Sequence, residues 1–303
     1  MGWFSKILDK LRGDRPPPDE PPEAPAEESP FQALLEAEGP SPLEAGAEEE
    51  VDAFQFGPQR MPRSTVGLFY PSGGIFLLRH PEDNRAGLIT QLGGGLEGLR
   101  PVAGDWNGDG LHGVGLYEPN LSVFALREGM GGGESNHQFQ FGTGGAGWLP
   151  LVGDWDGDGI YGVGLYNPAN SAFYLTNGFD GGDAQIAFLF GPPNEGWLPL
   201  AGDWDGDGIH TPALYQPATG LFLLRNRLCD GWDVDEEFTF GPVGPSMQPV
   251  AGDWEGCGRW SVGVYDPEEG EFHLRLLGDG GSSKQFSFGP RGVPAWPFSA
   301  VWI

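Results

Sequence analysis

The chain has 303 residues, 39% of them hydrophobic and 13% aromatic, which is enough to bury a sizeable core. Its formal net charge of -27 argues against nucleic acid as a partner and favours cations or basic partners. Two cysteines, Cys229 and Cys257, make no disulfide framework, no Cys/His cluster has zinc spacing, and no run approaches the ~18 apolar residues of a membrane span.

Residues 1–13, MGWFSKILDKLRG, read as an amphipathic helix. Trp3, Phe4, Ile7, Leu8 and Leu11 form one apolar stripe at helical spacing, with Lys6, Asp9, Lys10 and Arg12 on the other face. So short a helix is marginal alone in water, so it is expected to form on contact with a membrane surface, a groove on a protein partner or the chain's own propeller. It lacks the apolar region and small-residue cleavage site of a secretory signal, and a cytoplasmic location is expected. Residues 14–52 are rich in Pro, Glu and Ala and read as a disordered acidic linker. Within it, Pro30 to Glu38 has the pattern of a brief helix.

The remainder, 53–303, is built on a repeat. Gly-Asp-Trp-Asp-Gly-Asp-Gly stands at Gly153 to Gly159 and at Gly202 to Gly208, with one change at Gly104 to Gly110 and degraded at Gly252 to Gly258. The leading Asp residues, 105, 154, 203 and 253, are spaced by 49, 49 and 50. Each unit holds four alternating pieces that read as short antiparallel strands. They are a Pro-Val-Ala-Gly-Asp-Trp piece, a Val-Gly-Leu-Tyr piece, a Phe-x-Leu-Arg piece, and a Phe-x-Phe-Gly piece weakened at Ile89. A Pro five residues before the third piece (Pro71, Pro119, Pro168, Pro217, Pro267) marks a hairpin. Four short strands in about 49 residues describe a propeller blade. There are five Val-Gly-Leu-Tyr pieces and four Gly-Asp-Trp pieces. The C-terminal Pro297 to Ile303, PFSAVWI, aligns with the missing first piece and puts Trp302 where Trp254 sits. The expectation is an all-β, five-bladed propeller whose first blade is closed by the C-terminal strand. An extra Phe-x-Phe-Gly copy at Phe54 has no place in that count.

The strings AGDWDGDGI, VGLYNP, FxLR and FxFGP resemble the FG-GAP/VCBS-type GDWDGDG repeats of bacterial proteins, which are similar to integrin-type propeller blades. The resemblance covers residues 54–303. It implies loops that hold calcium, with carboxylates at the first, third and fifth positions. In this chain the sets are Asp105, Asn107, Asp109; then Asp154, Asp156, Asp158; then Asp203, Asp205, Asp207, the last extended by Thr211. The loop of Asp253, Glu255 and Cys257 is expected to bind nothing. With so few carboxylates and no acidic closing residue, such calcium would be weak and structural, on the order of 10⁻⁴ to 10⁻³ M. The competing reading makes the same Asp and Asn residues turn formers and the glycines carriers of positive φ.

Trp106, Trp155, Trp204 and Trp254 keep strict register and read as inter-blade core. Trp148 and Trp197 precede Leu-Pro in a connecting loop and are candidate stacking platforms for a ligand on the propeller face, or clamps on the following Pro. His112 and His210 share one loop position and read as surface residues. Arg79, Arg127, Arg225 and Arg275 end the third piece and could pair with blade carboxylates. No nucleophile, phosphate-loop, dinucleotide or zinc-hydrolase signature occurs. The function expected is a non-enzymatic binding or scaffold head, recruited by residues 1–13. A lectin-like sugar binder and a glycoside hydrolase are the alternatives.

Overall fold

The structure is a computed structural model that describes residues 62–81, 85–95, 98–278 and 282–302. The helix expected over 1–13, with Trp3, Phe4, Ile7, Leu8 and Leu11, the linker of 14–52 and the Phe54 piece lie outside the described residues.

Twenty strands form five four-stranded antiparallel sheets. The first blade has β1 (Thr65–Tyr70), β2 (Ile75–Arg79) and β3 (Ala86–Gln91). The second has β4 (Arg100–Gly104), β5 (Gly113–Glu118), β6 (Val123–Arg127) and β7 (His137–Gln140). The third runs β8 (Leu149–Gly153), β9 (Gly162–Asn167), β10 (Ala172–Thr176) and β11 (Ile186–Leu189). The fourth runs β12 (Leu198–Gly202), β13 (Thr211–Gln216), β14 (Leu221–Leu224) and β15 (Glu236–Thr239). The fifth runs β16 (Gln248–Gly252), β17 (Ser261–Asp266), β18 (Glu271–Arg275) and β19 (Ser283–Ser287). The last strand, β20 (Trp296–Ala300), pairs with β1 and gives the first blade its fourth strand. The propeller is therefore five-bladed and closed by the C-terminal strand. The strands β4, β8, β12, β16 and β20 pack side by side in a ring around the axis.

Register explains why each piece repeats. The Val-Gly-Leu-Tyr strand is second in its sheet and buried on both faces, so it reads as continuously apolar. Its Gly is a packing site. A Cβ on Gly115 would lie 2.6 Å from Leu126 and 2.8 Å from Val102, and one on Gly67 only 2.3 Å from the Phe298 ring. The Tyr (Phe69 in the first blade) packs at a tilt of 34–44° on the Phe of the third strand, with centroids 4.6–4.8 Å apart in all five blades. In four blades that Phe faces a second Phe on the outermost strand. In the first blade Thr90 stands opposite Phe76. The weakened fourth piece is thus led by Thr90, one residue beyond the expected Ile89, whose side chain is 45% exposed.

The hairpins between second and third strands need one residue at positive φ. Gly74, Gly220 and Gly270 supply it in three blades, Ser122 (φ 56°) and Ser171 (φ 58°) in the other two. Ser122 compensates with bonds that Gly cannot make. Its hydroxyl lies 3.0 Å from Tyr117 Oη and donates to the Phe141 carbonyl at 2.6 Å.

Candidate functional site

In every repeat loop the first Asp turns its carboxylate onto the loop's own backbone. Asp154 Oδ1 accepts from the N–H of Gly157 at 2.7 Å, and its Oδ2 from Gly159 at 2.8 Å. Asp203 does the same with Gly206 (2.7 Å) and Gly208 (2.9 Å), and Asp105 with Gly108 and Gly110 (2.7 Å each). Asp253 matches them, with Gly256 at 2.8 Å and Gly258 at 2.7 Å. Its loop lacks the third acidic ligand, so the turn forms without a complete set. The glycines allow it, with φ of 76° at Gly157 and 88° at Gly159.

The later carboxylates remain on the surface. Asp154, Asp156 and Asp158 bring carboxylate oxygens within 4.8 Å of one another, and so do Asp203, Asp205 and Asp207. Three convergent oxygens fit a hard cation such as calcium. Burial raises the Asp154 and Asp203 carboxyls, backbone donors offset part of this, and Asp158 and Asp207 add like-charge repulsion. In the loop of Asp105, Asn107 donates to Asp109 Oδ2 at 3.1 Å and replaces one charge with an internal bond. Thr211 is the first residue of β13, is buried, and gives its carbonyl to Trp204 Nε1 at 3.0 Å.

Immediately after each loop one residue crosses to the preceding blade. The N–H of Tyr161 donates to the Asp105 carbonyl, His210 to Asp154, and Trp260 to Asp203, each at 2.7 Å. Ser64 donates to Asp253 at 2.9 Å and His112 to Val301 at 2.7 Å, completing five equivalent joints. The rings of His112, Tyr161, His210 and Trp260 stand in sequence, with neighbouring centroids 5.0, 4.9 and 4.5 Å apart. His112 and His210, expected on the surface, are 95% and 96% hidden, His112 against the Tyr161 ring and His210 between Tyr161 and Trp260. Burial holds the His112 imidazole down at about 4 and His210 at about 3, and His112 adds to the shift at His210. Tyr161 and Trp260 line the axial cavity of about 130 Å³ with Pro101, Pro150, Pro199 and Pro249.

The arginines close the joints at the rim. Arg79 lies 4.3 Å from the Phe286 ring centroid and Arg275 4.0 Å from Phe238, each on the preceding blade. Arg127 donates to Thr90 Oγ1 at 2.6 Å and to the Gln91 carbonyl at 2.9 Å. Carboxylate pairing is secondary, seen for Arg275 with Glu236 at 3.7 Å. In the third blade Thr176 breaks the series. Phe179 fills in, with its centroid 5.8 Å from Phe139 and 4.7 Å from His137.

Trp148 and Trp197 lie at the opposite end of the blades. Trp197 is 5% exposed and presents no open face to a sugar. Trp148 is half-buried and stacks on Tyr174 at 4.9 Å and 9°. Among the described residues the large aromatic that stands clear is Trp232, 68% exposed in the loop between β14 and β15. The signal available in the sequence is that Trp232 follows Gly231 where Glu134 and Asp183 follow the matching glycines.

No family model matches the chain, and no curated protein matches it. Among solved structures, a BBS1N–ARL6DN complex soaked with mercury and the same complex soaked with lead each align at 10% identity and a TM-score of 0.35. They cover 63% of this chain and 57% of theirs. Apo AztD from Citrobacter koseri aligns at 8% identity and a TM-score of 0.33, covering 79% of this chain and 63% of that one. The chain thus spans less than two thirds of each, and likenesses at this level carry no argument about function.

Proposed function

We propose that the propeller is a non-enzymatic binding head of the FG-GAP/VCBS type, held in the cytoplasm at a protein assembly or membrane surface by residues 1–13. One observation carries this reading. The residues that repeat are consumed by the fold: the tryptophans in the core, the arginines in the joints, the first Asp of each loop in its own turn. The variable, acidic loop tips are left for recognition on a closed rigid frame, where binding costs little reordering. Calcium in the Asp154 and Asp203 loops would be structural in this reading, stiffening two tips of that frame.

The test is in-cell crosslinking of the tagged full chain, compared with a variant lacking residues 1–13. A discrete protein adduct, with localisation lost on deletion, supports both parts. Unchanged localisation sinks the recruitment part. Turnover of any aryl glycoside by the purified chain sinks the non-enzymatic reading.

A further inference from the structure

The loop between third and fourth strands has a common frame in the second, third and fourth blades. Gly133, Gly182 and Gly231 mark the same position, with φ of 134°, 135° and 154°. The arginine six residues earlier confirms the match, since Arg127 Nη1 donates to the Gly133 carbonyl at 3.2 Å and Arg225 Nη1 to Gly231 at 2.9 Å. The residue after this Gly is Glu134 in one blade and Asp183 in the next, but Trp232 in the fourth. A large exposed aromatic therefore stands where the pattern places a solvated acid.

The surroundings of Trp232 are fixed. Arg225, 1% exposed, also donates to the Asp230 carbonyl at 3.2 Å. Asp230 Oδ1 accepts from the Leu189 N–H at 2.9 Å, and the Gly231 N–H reaches the Leu189 carbonyl at 3.4 Å. On the other side Asp235 takes Arg227 at 3.1 Å and the Asn226 N–H at 2.8 Å. Leu228, Val234 and Ile186 pack partly buried on the core beneath, and Leu189 beside the loop is 48% exposed. Beside this apolar seam Asp230, Asp233, Asp235, Glu236 and Glu237 are exposed, the last two on opposite faces of β15. Arg227 lies 3.9 Å from Asp233 and 3.1 Å from Asp235, and Arg275 lies 3.7 Å from Glu236, so the carboxylates outnumber the cations that meet them.

An apolar partner would strand those carboxylates, and an anionic lipid would be repelled by them. An arginine side chain satisfies both components. Its stem and guanidinium cover the indole face while its N–H groups meet the carboxylates. We propose that Trp232 and its acidic surround dock an arginine-bearing apolar segment of a protein partner. This rests on the binding-head reading and assigns it a surface.

The experiment uses the full chain and a fluorescently labelled peptide alternating arginine with leucine, read by anisotropy at about 0.15 M salt. Trp232→Ala is expected to weaken binding about tenfold, and Asp233→Asn about threefold, with melting temperatures unchanged. Replacing arginine by lysine in the peptide weakens it too. The proposal is overturned if the wild-type chain fails to bind the peptide, or if Trp232→Ala binds within about twofold of wild type. It is also overturned if the variant instead loses self-association by sedimentation or loses binding to phosphatidylserine vesicles, outcomes that assign the patch to a second copy or to lipid. A cellular adduct that forms equally with and without Trp232→Ala removes this site and leaves the binding head standing.

Discussion

Ser64 and Asp253 bond reciprocally across the joint between the fifth and first blades. The Ser64 N–H donates to the Asp253 carbonyl at 2.9 Å, and the Asp253 N–H donates to the Ser64 hydroxyl at 3.0 Å. The pair lies beside the strand that completes the ring, where Phe298 is 94% hidden and occupies the space that a Cβ on Gly67 would need. Phe298→Ala is expected to cost about 3–5 kcal/mol and Phe298→Leu about 1 kcal/mol. Calorimetry checks both. Near-equal melting temperatures for Phe298→Ala and wild type would mean that β20 does not hold the ring.

Stability should fall in acid through the two buried histidines. Unfolded, each titrates near the ordinary value of about 6.5. Folded, they sit at about 4 (His112) and about 3 (His210), so the unfolded chain binds more protons between those limits. The stability they permit is present above about pH 6.5 and is lost as pH drops towards the folded values. Thermal melts from neutral pH downwards should therefore show a shallower decline in a His210→Phe variant. An identical slope would remove His210 from the acid response.

Calcium should act on two loops. A cation bound at 10⁻³ to 10⁻⁴ M adds about 0.4–1.4 kcal/mol per site at about 1 mM, a rise of a few degrees at most. Asp205→Asn changes an exposed ligand, so it should reduce the calcium-dependent rise while leaving the metal-free melt unchanged. A rise that survives Asp205→Asn and Asp156→Asn together would place the ion elsewhere.

Arg225→Lys should be costly although it keeps the charge. The guanidinium holds two carbonyls of one loop, and a lysine cannot reproduce the fork. A loss of about 2 kcal/mol is expected, with faster amide exchange at Leu189 and Gly231. Unchanged exchange there would show that the loop is held without it.

Most of the architecture was legible because it repeats. Matching PFSAVWI to PVAGDW makes the C-terminal strand the closing strand, and in the structure Phe298 stands opposite Gly67 as Val250 stands opposite Gly263. The weak fourth piece was misplaced by one residue because Thr90 carries no aromatic signal. It replaces a ring contact with the Arg127 hydrogen bond. The histidines were misread for a different reason. Nothing local in Gly-Ile-His-Thr shows that the His210 N–H will bond to Asp154, 56 residues earlier. The calcium signature held two meanings in one string, and only the intact turn at Asp253 separates the structural part from the ligand part. The burial of Trp197 and the exposure of Trp232 are not written in the chain, although Trp232 departs from the acidic residue at the matching loop position of two other blades.

The placement of β20 also sets an order of events during translation. Four blades draw all their strands from consecutive sequence and can fold as they leave the ribosome. The first blade cannot finish in this way, because its inner strand β20 is the last of the twenty to be made. Until β20 is made, the first blade lacks its fourth strand, and β1 is an edge where a chaperone or a neighbouring nascent chain could engage it.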